Sequence, residues 1–465
     1  MSEAVSSGSV VTQKELMEDY GAGNGRKGAL PAAVVFCETA DDVVGLTKWA
    51  RENGRKILPV SSAPPHESAV VQKEGYVVCD LSRMKRIVRA DRRNRVALAE
   101  VGVTFEELDG ALERVGLRAM TPLAPRTGKS VVASYLDRTP TLVPRAQWDL
   151  SDPLLCTEVI MGSGKLFRTG CSSGPGTLEE QWATGQAQKN PMGPSAFDFF
   201  RIVQGSRGSM GIVTWASMKC ELRPRVHELL MLPSDDLAPL IRIVYGIAHA
   251  RWGEECLILD SNNLTRLTGV PGMPAFALLV GVAGFDYRPE QRVSYQKRGI
   301  EGIISSEGAR VSRSIAGVGG RRMLQVITSP SDPYWKGSPA EHADVYFLTT
   351  MNRAPDFVSV IDETCKKEKF DRAQVGLYLQ PQLGGRVTHF EATVFAPREE
   401  ADRMTRALAE AAAAKGAYFS RPAGNWDDLA YRDKPLLVET FRRTKKIFDP
   451  DGVMNPDVLF CKEVV

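Results

Sequence analysis

Three glycines spaced three apart, Gly205, Gly208 and Gly211, run straight into Ile212-Val213-Thr214. Glycine lacks a Cβ, so a backbone built this way can turn sharply and approach another group closely. Successive N–H groups in such a turn form a concavity suited to a phosphate. The β-branched residues that follow favour a buried strand. The stretch Asp198–Thr214, DFFRIVQGSRGSMGIVT, therefore predicts strand, glycine turn, strand. It is not the strand, G-x-G-x-x-G, helix arrangement of a Rossmann unit, so that fold is not supported.

At 465 residues the chain is long enough for two or three domains. Its first part alternates strands and helices. Thr39-Ala40-Asp41-Asp42 is a capping box ahead of an apolar stripe of Val43, Val44, Leu46 and Trp49, and Gly54 ends that helix. Strands are expected at Ile57–Val60, Tyr76–Leu81 and Arg95–Val101. A second box, Thr104 to Glu107, starts a helix that turns Phe105, Leu108, Leu112 and Val115 inward and stops at Gly116. Between Pro122 and Gly193 Pro and Gly are dense. A hairpin is expected from Cys156–Met161 to Leu166–Thr169 through Gly162-Ser163-Gly164, followed by a long irregular loop over Gly170–Pro194. Beyond Pro224 strands (Leu229–Leu232, Cys256–Asp260, Ala275–Val282) alternate with helices (Asp236–Trp252, Glu290–Ile304). A hairpin of Gln374–Gln380 and Thr388–Ala396 turns at Gly384-Gly385. Pro397–Lys415 and a basic helix after Pro435 follow. The fold class is α+β, with a second unit carrying an antiparallel sheet.

Net charge is +3 with both signs interspersed, so no nucleic-acid footprint stands out. The N-terminus MSEAVSSGSVV lacks a signal-peptide core, and no run approaches the ~18 apolar residues of a membrane span. A cytoplasmic protein is expected. The eight cysteines form no C-x-x-C pair and read as buried free thiols, which argues against a zinc or iron–sulfur site; no metal is expected.

Three further stretches share an order along the chain. Ile57–Val60 leads to Val78–Met84 and Glu100–Thr104. Asp198–Thr214 carries the glycines. Lys446–Pro450 with Met454-Asn455-Pro456 closes the chain. In that order they resemble the vanillyl-alcohol oxidase / p-cresol methylhydroxylase flavoproteins over nearly the whole chain. The resemblance implies a two-lobed FAD-binding domain over 1–224, a cap domain with antiparallel sheet and helices over 225–430, and a segment over 431–465 that returns to the first domain. It implies FAD contacts at Pro59, Val60, Ser61, Ser62, Ala63, Pro64, His66, Pro122, Gly205, Ser206, Gly208, Gly211, Ile212, Val213 and Asn455.

One departure matters. The family's phosphate loop is Gly-rich, whereas here it reads Ser61-Ser62-Ala63-Pro64-Pro65-His66-Glu67-Ser68. Prolines remove amide donors, leaving Ser61, Ser62 and Ala63 as contiguous N–H groups. Either serine hydroxyls replace the missing donors, or FAD is held weakly or not at all. His66 falls near where some relatives tether FAD; covalent and dissociable FAD both stay open.

Strand alternation puts Tyr378 and Gln380 on one face, and His389 and Glu391 on one face of the next strand. In relatives this sheet covers the flavin, which implies that His389 serves as base toward a substrate hydroxyl, with Tyr378, Glu391 and Arg421 beside it. Arg421 and Arg386 offer planar forks for a carboxylate. The function implied is oxidation of a small hydroxy acid, alcohol or phenol by hydride transfer to FAD. Electrons would leave to oxygen or to an electron-accepting subunit, and the chain would be a homo-oligomer or part of a redox complex. The rival reading, prompted by the altered loop, is a non-catalytic or weakly catalytic subunit of such a complex.

Overall fold

The structure, a computed structural model, describes residues 4–21, 28–66, 71, 73–145, 153–187, 190–193 and 199–459. Glu67, Ser68, Pro194, Asp198 and Cys461 lie outside the described residues.

The first sheet has the order Ser9–Val11, Ala33–Phe36, Tyr76–Asp80, Lys56–Val60, the last three parallel. Their apolar runs are buried on both faces, as parallel strands require. Helix Ala40–Glu52 starts at the Thr39/Asp42 capping box, with both reciprocal bonds formed. A five-stranded antiparallel sheet follows, ordered Ile87–Asp91, Val96–Glu100, Ile212–Lys219, Leu154–Ile160, Leu166–Arg168. The Thr104/Glu107 box opens helix Phe105–Glu113 as expected. One apolar core joins these two sheets and includes Val453 and Met454 from the far end of the chain.

The third sheet has six antiparallel strands: Val226–Ser234, Phe276–Gly284, Cys256–Asp260, Val375–Gln382, Val387–Phe395 and His342–Thr349. On one face its alternate residues, such as Leu377, Leu379, Phe390 and Ala392, pack on helices Leu237–His249, Pro289–Ser306, Ala354–Glu368 and Arg398–Ala414. The other alternate set, including Tyr378, looks the opposite way. That pleat decides which side chains can reach a ligand.

The C-terminal helix Pro435–Phe448 leads into a segment that joins the first sheet. Ile57 N donates to Val453 O at 2.8 Å, and Asn455 N donates to Ile57 O at 2.9 Å. Buried Lys445 donates to Asp449 Oδ2 at 2.6 Å and to the carbonyls of Ser209 and Met454 at 2.5 and 2.7 Å. One ammonium thus ties the returning segment to the glycine turn.

Two expectations need correction. Ahead of the glycine turn there is no strand: Phe200–Val203 is a helical turn, because Phe200 and Val203, three apart, both face the core. The stretch expected to be an irregular loop contains a 3₁₀ turn at Gly170–Ser172 and helix Leu178–Ala183, whose Thr177/Glu180 capping box went unread. Between 305 and 373 the sequence reading assigned nothing. The structure has helices Gly320–Thr328 and Ala354–Glu368 and strand His342–Thr349 there.

Candidate active site

A cavity of about 340 Å³ runs from the glycine turn to the face of the six-stranded sheet that carries Tyr378. At the turn end it is lined by Pro59, Val60, Ser61 and Ser62, which follow one another off the first sheet, and by Gly205, Ser206, Gly208, Gly211, Ile212 and Val213. Gly208 sits at φ +75°, and a Cβ there would come 2.2 Å from Pro59 Cγ. A Cβ on Gly205, at φ +77°, would meet Arg138 Nη2 at 2.9 Å. Only glycine lets the turn lie this close to the strand end. Asn455 lines the same cavity, and its side-chain amide donates to Arg207 O at 2.8 Å. The hydroxyls of Ser206 and Ser134 are buried at the cavity wall with no hydrogen-bond partner among the described residues. Pro122 lies on the wall as well.

The loop after Val60 differs from the expected run of amides. Ala63 N donates to Gly128 O at 2.9 Å, so it is not free for a ligand. Arg126 donates to Ala63 O at 2.6 Å and to Pro64 O at 2.8 Å. Ala63 and Pro64 are thereby turned toward this arginine and do not line the cavity. Ser62 Oγ accepts from Ser130 N at 3.0 Å. His66 does line the cavity, with its ring 4.7 Å from that of Tyr20. Burial, helped by the positive charges of Arg126 and Lys129, lowers the His66 pKa to about 4, so the imidazole is neutral at pH 7.

At the sheet end, register pairs Tyr378 with Glu391 and Gln380 with His389 across adjacent strands. Tyr378 OH donates to Gln380 Oε1 at 3.0 Å. Glu391 reaches the cavity, whereas His389, 1% exposed, sits behind it with Nε2 3.1 Å from Glu391 Oε2. The residue expected to touch substrate as base is thus screened by its own neighbour. Arg386 is exposed on the hairpin turn and takes no part.

The sequence reading missed the centre of this end. Lys336 Nζ donates to Glu391 Oε1 at 2.7 Å and to both Asp344 oxygens at 3.0 and 2.9 Å. Burial would push the Glu391 carboxyl up, but Lys336 and His389 hold it well below the usual range. Burial would likewise lower the Lys336 pKa, yet Asp344 and Glu391 keep it well above its ordinary value. Burial lowers the pKa of His389 despite Glu391, leaving it neutral. Tyr346, two residues after Asp344 on the strand missed from sequence, completes the wall with Trp335. Arg421 lies 4.5 Å from the Tyr346 ring centre and donates through Nε to Asp137 O at 2.8 Å. Its Nη1 is buried and has no hydrogen-bond partner among the described residues. The alternation in His342–Thr349 (HADVYFLT) was the signal that could have placed Asp344 and Tyr346 on one face.

The cavity suits a long, partly anionic cofactor. A glycine cradle that a Cβ would fill stands beside two orphaned hydroxyls at one end, and a polar chamber closes the other. Residues 31–170 match the FAD binding domain family. Over 99% of its length the chain is 22% identical to an uncharacterized FAD-linked oxidoreductase of Mycobacterium tuberculosis, covering 98% of that protein. It is 21% identical to a D-2-hydroxyglutarate dehydrogenase of Stutzerimonas stutzeri, over 98% of this chain and 97% of the relative. The crystal structure of p-cresol methylhydroxylase with substrate bound superimposes with a TM-score of 0.81 at 17% identity, over 96% of this chain and 93% of the other. The fold is therefore that of the p-cresol methylhydroxylase flavoproteins. An FAD binding domain thus lies within the chain, which is an FAD-dependent oxidoreductase. Among the described residues no helix is long and apolar enough to cross a membrane, and no cluster has the makings of a metal site.

Proposed function

We propose that the chain oxidises a small hydroxylated substrate bearing an anionic oxygen, with FAD held between the glycine turn and the sheet face of Tyr378. Bound FAD supplies the two-electron, hydride-accepting centre. The observation that carries this reading is the free, buried Nη1 of Arg421 in the same chamber as Glu391, Tyr378 and Tyr346. A buried donor without a partner is costly unless a ligand satisfies it. A guanidinium over aromatic walls suits a phenolate or a hydroxy-acid carboxylate, and the ring-lined walls favour the phenolic member of that pair.

Each side chain has a role set by its contacts. Arg421 receives the anion. Tyr378 stays protonated, since burial raises its pKa well above the ordinary value. Glu391, kept ionised by Lys336, accepts the hydrogen bond of the substrate hydroxyl. Neutral His389, 3.1 Å behind it, takes up the proton through Glu391. Ser206, Ser134, Asn455 and the glycine amides hold the cofactor in place of the missing loop donors. The division into 1–224, 225–430 and 431–465 fits these roles, the last segment reaching the turn through Lys445. Electrons leave to oxygen or to an electron-accepting protein partner.

The test is anaerobic reduction of the flavin, followed by loss of its visible bands. Bleaching by 4-alkylphenols or 2-hydroxy acids, at least 10-fold slower in R421A, is expected. A protein that holds FAD but is bleached by neither class would overturn the reading.

A further inference from the structure

Two pairs of thiols lie in van der Waals contact in this protein, each with sulfurs 3.6 Å apart: Cys37 with Cys79, and Cys156 with Cys171. They differ in access. Cys37 and Cys79 are both at 0% exposure, Cys37 just past the end of strand Ala33–Phe36 and Cys79 in the neighbouring parallel strand Tyr76–Asp80. Cys156 is at 0% in strand Leu154–Ile160, whereas Cys171, on the 3₁₀ turn Gly170–Ser172, is only half-buried. The second pair thus has one partly exposed residue, and the first has none.

The surroundings of the second pair also fit oxidation. Asn190 N donates to Cys171 Sγ at 3.4 Å, a contact that persists when the sulfur gives up its proton to attack a peroxide. The Cys171 thiol contacts Gln186 O, and Cys156 Sγ donates to Asn190 O at 3.3 Å. Cys171 N donates to Asn190 O at 3.0 Å, and a Cβ on Gly170 would come 2.4 Å from that same oxygen. The segment is packed so closely that the two sulfurs are held in contact. The hydrogen bond to Cys171, with burial, keeps Cys156 protonated, so its proton is given up only as it attacks the oxidised Cys171.

We infer that Cys156 and Cys171 form a peroxide-oxidised dithiol site, with Cys171 as the attacking sulfur and Cys156 as the resolving one. Cys171 attacks one oxygen of hydrogen peroxide; the O–O bond breaks, a sulfenic acid forms and water leaves. The Cys156 sulfur then displaces the hydroxyl of that sulfenic acid. An S–S bond forms, and the Cys156 proton leaves with the hydroxyl as a second water. The two thiols lose two electrons and two hydrogens, and one peroxide becomes two waters. Closing the bond from 3.6 Å to about 2.05 Å needs only a small approach across a 15-residue separation. It removes both S–H donors, so thiol hydrogen bonds to Gln186 and Asn190 are exchanged for a covalent bond in the same strap.

The experiment exposes the full-length native protein to hydrogen peroxide, alkylates the remaining thiols, and maps the peptides by mass spectrometry before and after dithiothreitol. The expected result is a reducible cross-link between the peptides of Cys156 and Cys171, with two alkylatable thiols lost and Cys37 and Cys79 untouched. In C156S, Cys171 should be trapped by dimedone as a sulfenic acid; in C171S, no cross-link and no dimedone adduct should form. The inference is overturned if Cys37–Cys79 cross-links first, if wild-type Cys171 is oxidised onward without joining Cys156, or if no thiol is consumed. Because the wild-type cross-link needs no variant, a buried substitution that misfolds leaves the test intact.

Discussion

At the residue scale, the site is decided by which charged groups the fold leaves satisfied. Arg421 has a buried nitrogen with no partner, so R421K, which keeps charge but loses the planar fork, should lower kcat/KM for an anionic substrate by about 10–100-fold, with retained flavin. Steady-state kinetics on both substrate classes checks this. Lys336 places its ammonium between two carboxylates in the chamber, and K336M would leave Glu391 and Asp344 facing each other in a buried site. Urea unfolding should show a loss of about 3–5 kcal/mol. His66 gives a pH dependence. Its folded pKa of about 4 lies below the ordinary 6.5, so the unfolded chain binds more protons between those values. Its contribution is full above pH 6.5 and is lost as pH falls toward 4; H66Q should flatten that slope in unfolding measured from pH 7 to 4. Tyr378 and Glu391 were legible as part of a polar face from strand alternation, whereas Arg421 stood out only as a planar fork suited to a carboxylate. Lys336 was not, because a lysine in a Pro-rich loop (SPSDPYWKGSP) carries no periodic sign of burial.

At the element scale, the glycine turn and the capping boxes were the most legible features. Both are local: a glycine at φ +75° or a Thr–x–x–Asp pair declares its conformation within a few residues. The helical turn Phe200–Val203 was mistaken for a strand because a short apolar run has the same look in either form. The loop after Val60 was misjudged for a different reason. Its Ala63 amide is engaged by Gly128 and its Ala63 and Pro64 carbonyls by Arg126, residues more than 60 positions away, and no local pattern announces such partners. G208A would drive a Cβ into Pro59 and strain a left-handed backbone. It should weaken FAD affinity at least 10-fold in a fluorescence titration while far-ultraviolet circular dichroism stays unchanged.

At the scale of the whole molecule, buried ion pairs join parts that sequence separates widely. Arg118, beside strand Glu221–Leu222, bonds Glu255 at the start of a strand of the six-stranded sheet at 2.8 Å, with His227 at 2.8 Å on its other side. Burial would raise the Glu255 pKa, but Arg118 and His227 hold it at about 2, below the ordinary 4.5. This pairing stabilises the fold above pH 4.5 and is lost as pH falls toward 2, on the order of 3 kcal/mol. Urea unfolding at pH 6 and pH 3 should show the drop, and R118M should lower stability at pH 6 and shrink the difference between the two. The order of motifs along the chain made the overall architecture readable. The meeting of Lys445 with the glycine turn, 236 residues earlier, was implied only through resemblance. The account of the active site rests on FAD lying in one cavity between turn and sheet. The visible absorption spectrum of the purified protein, before and after acid precipitation, tests this most directly. Flavin bands that are lost in G208A and move to the supernatant on precipitation are predicted. A colourless protein that takes up no flavin on incubation with FAD would contradict the account.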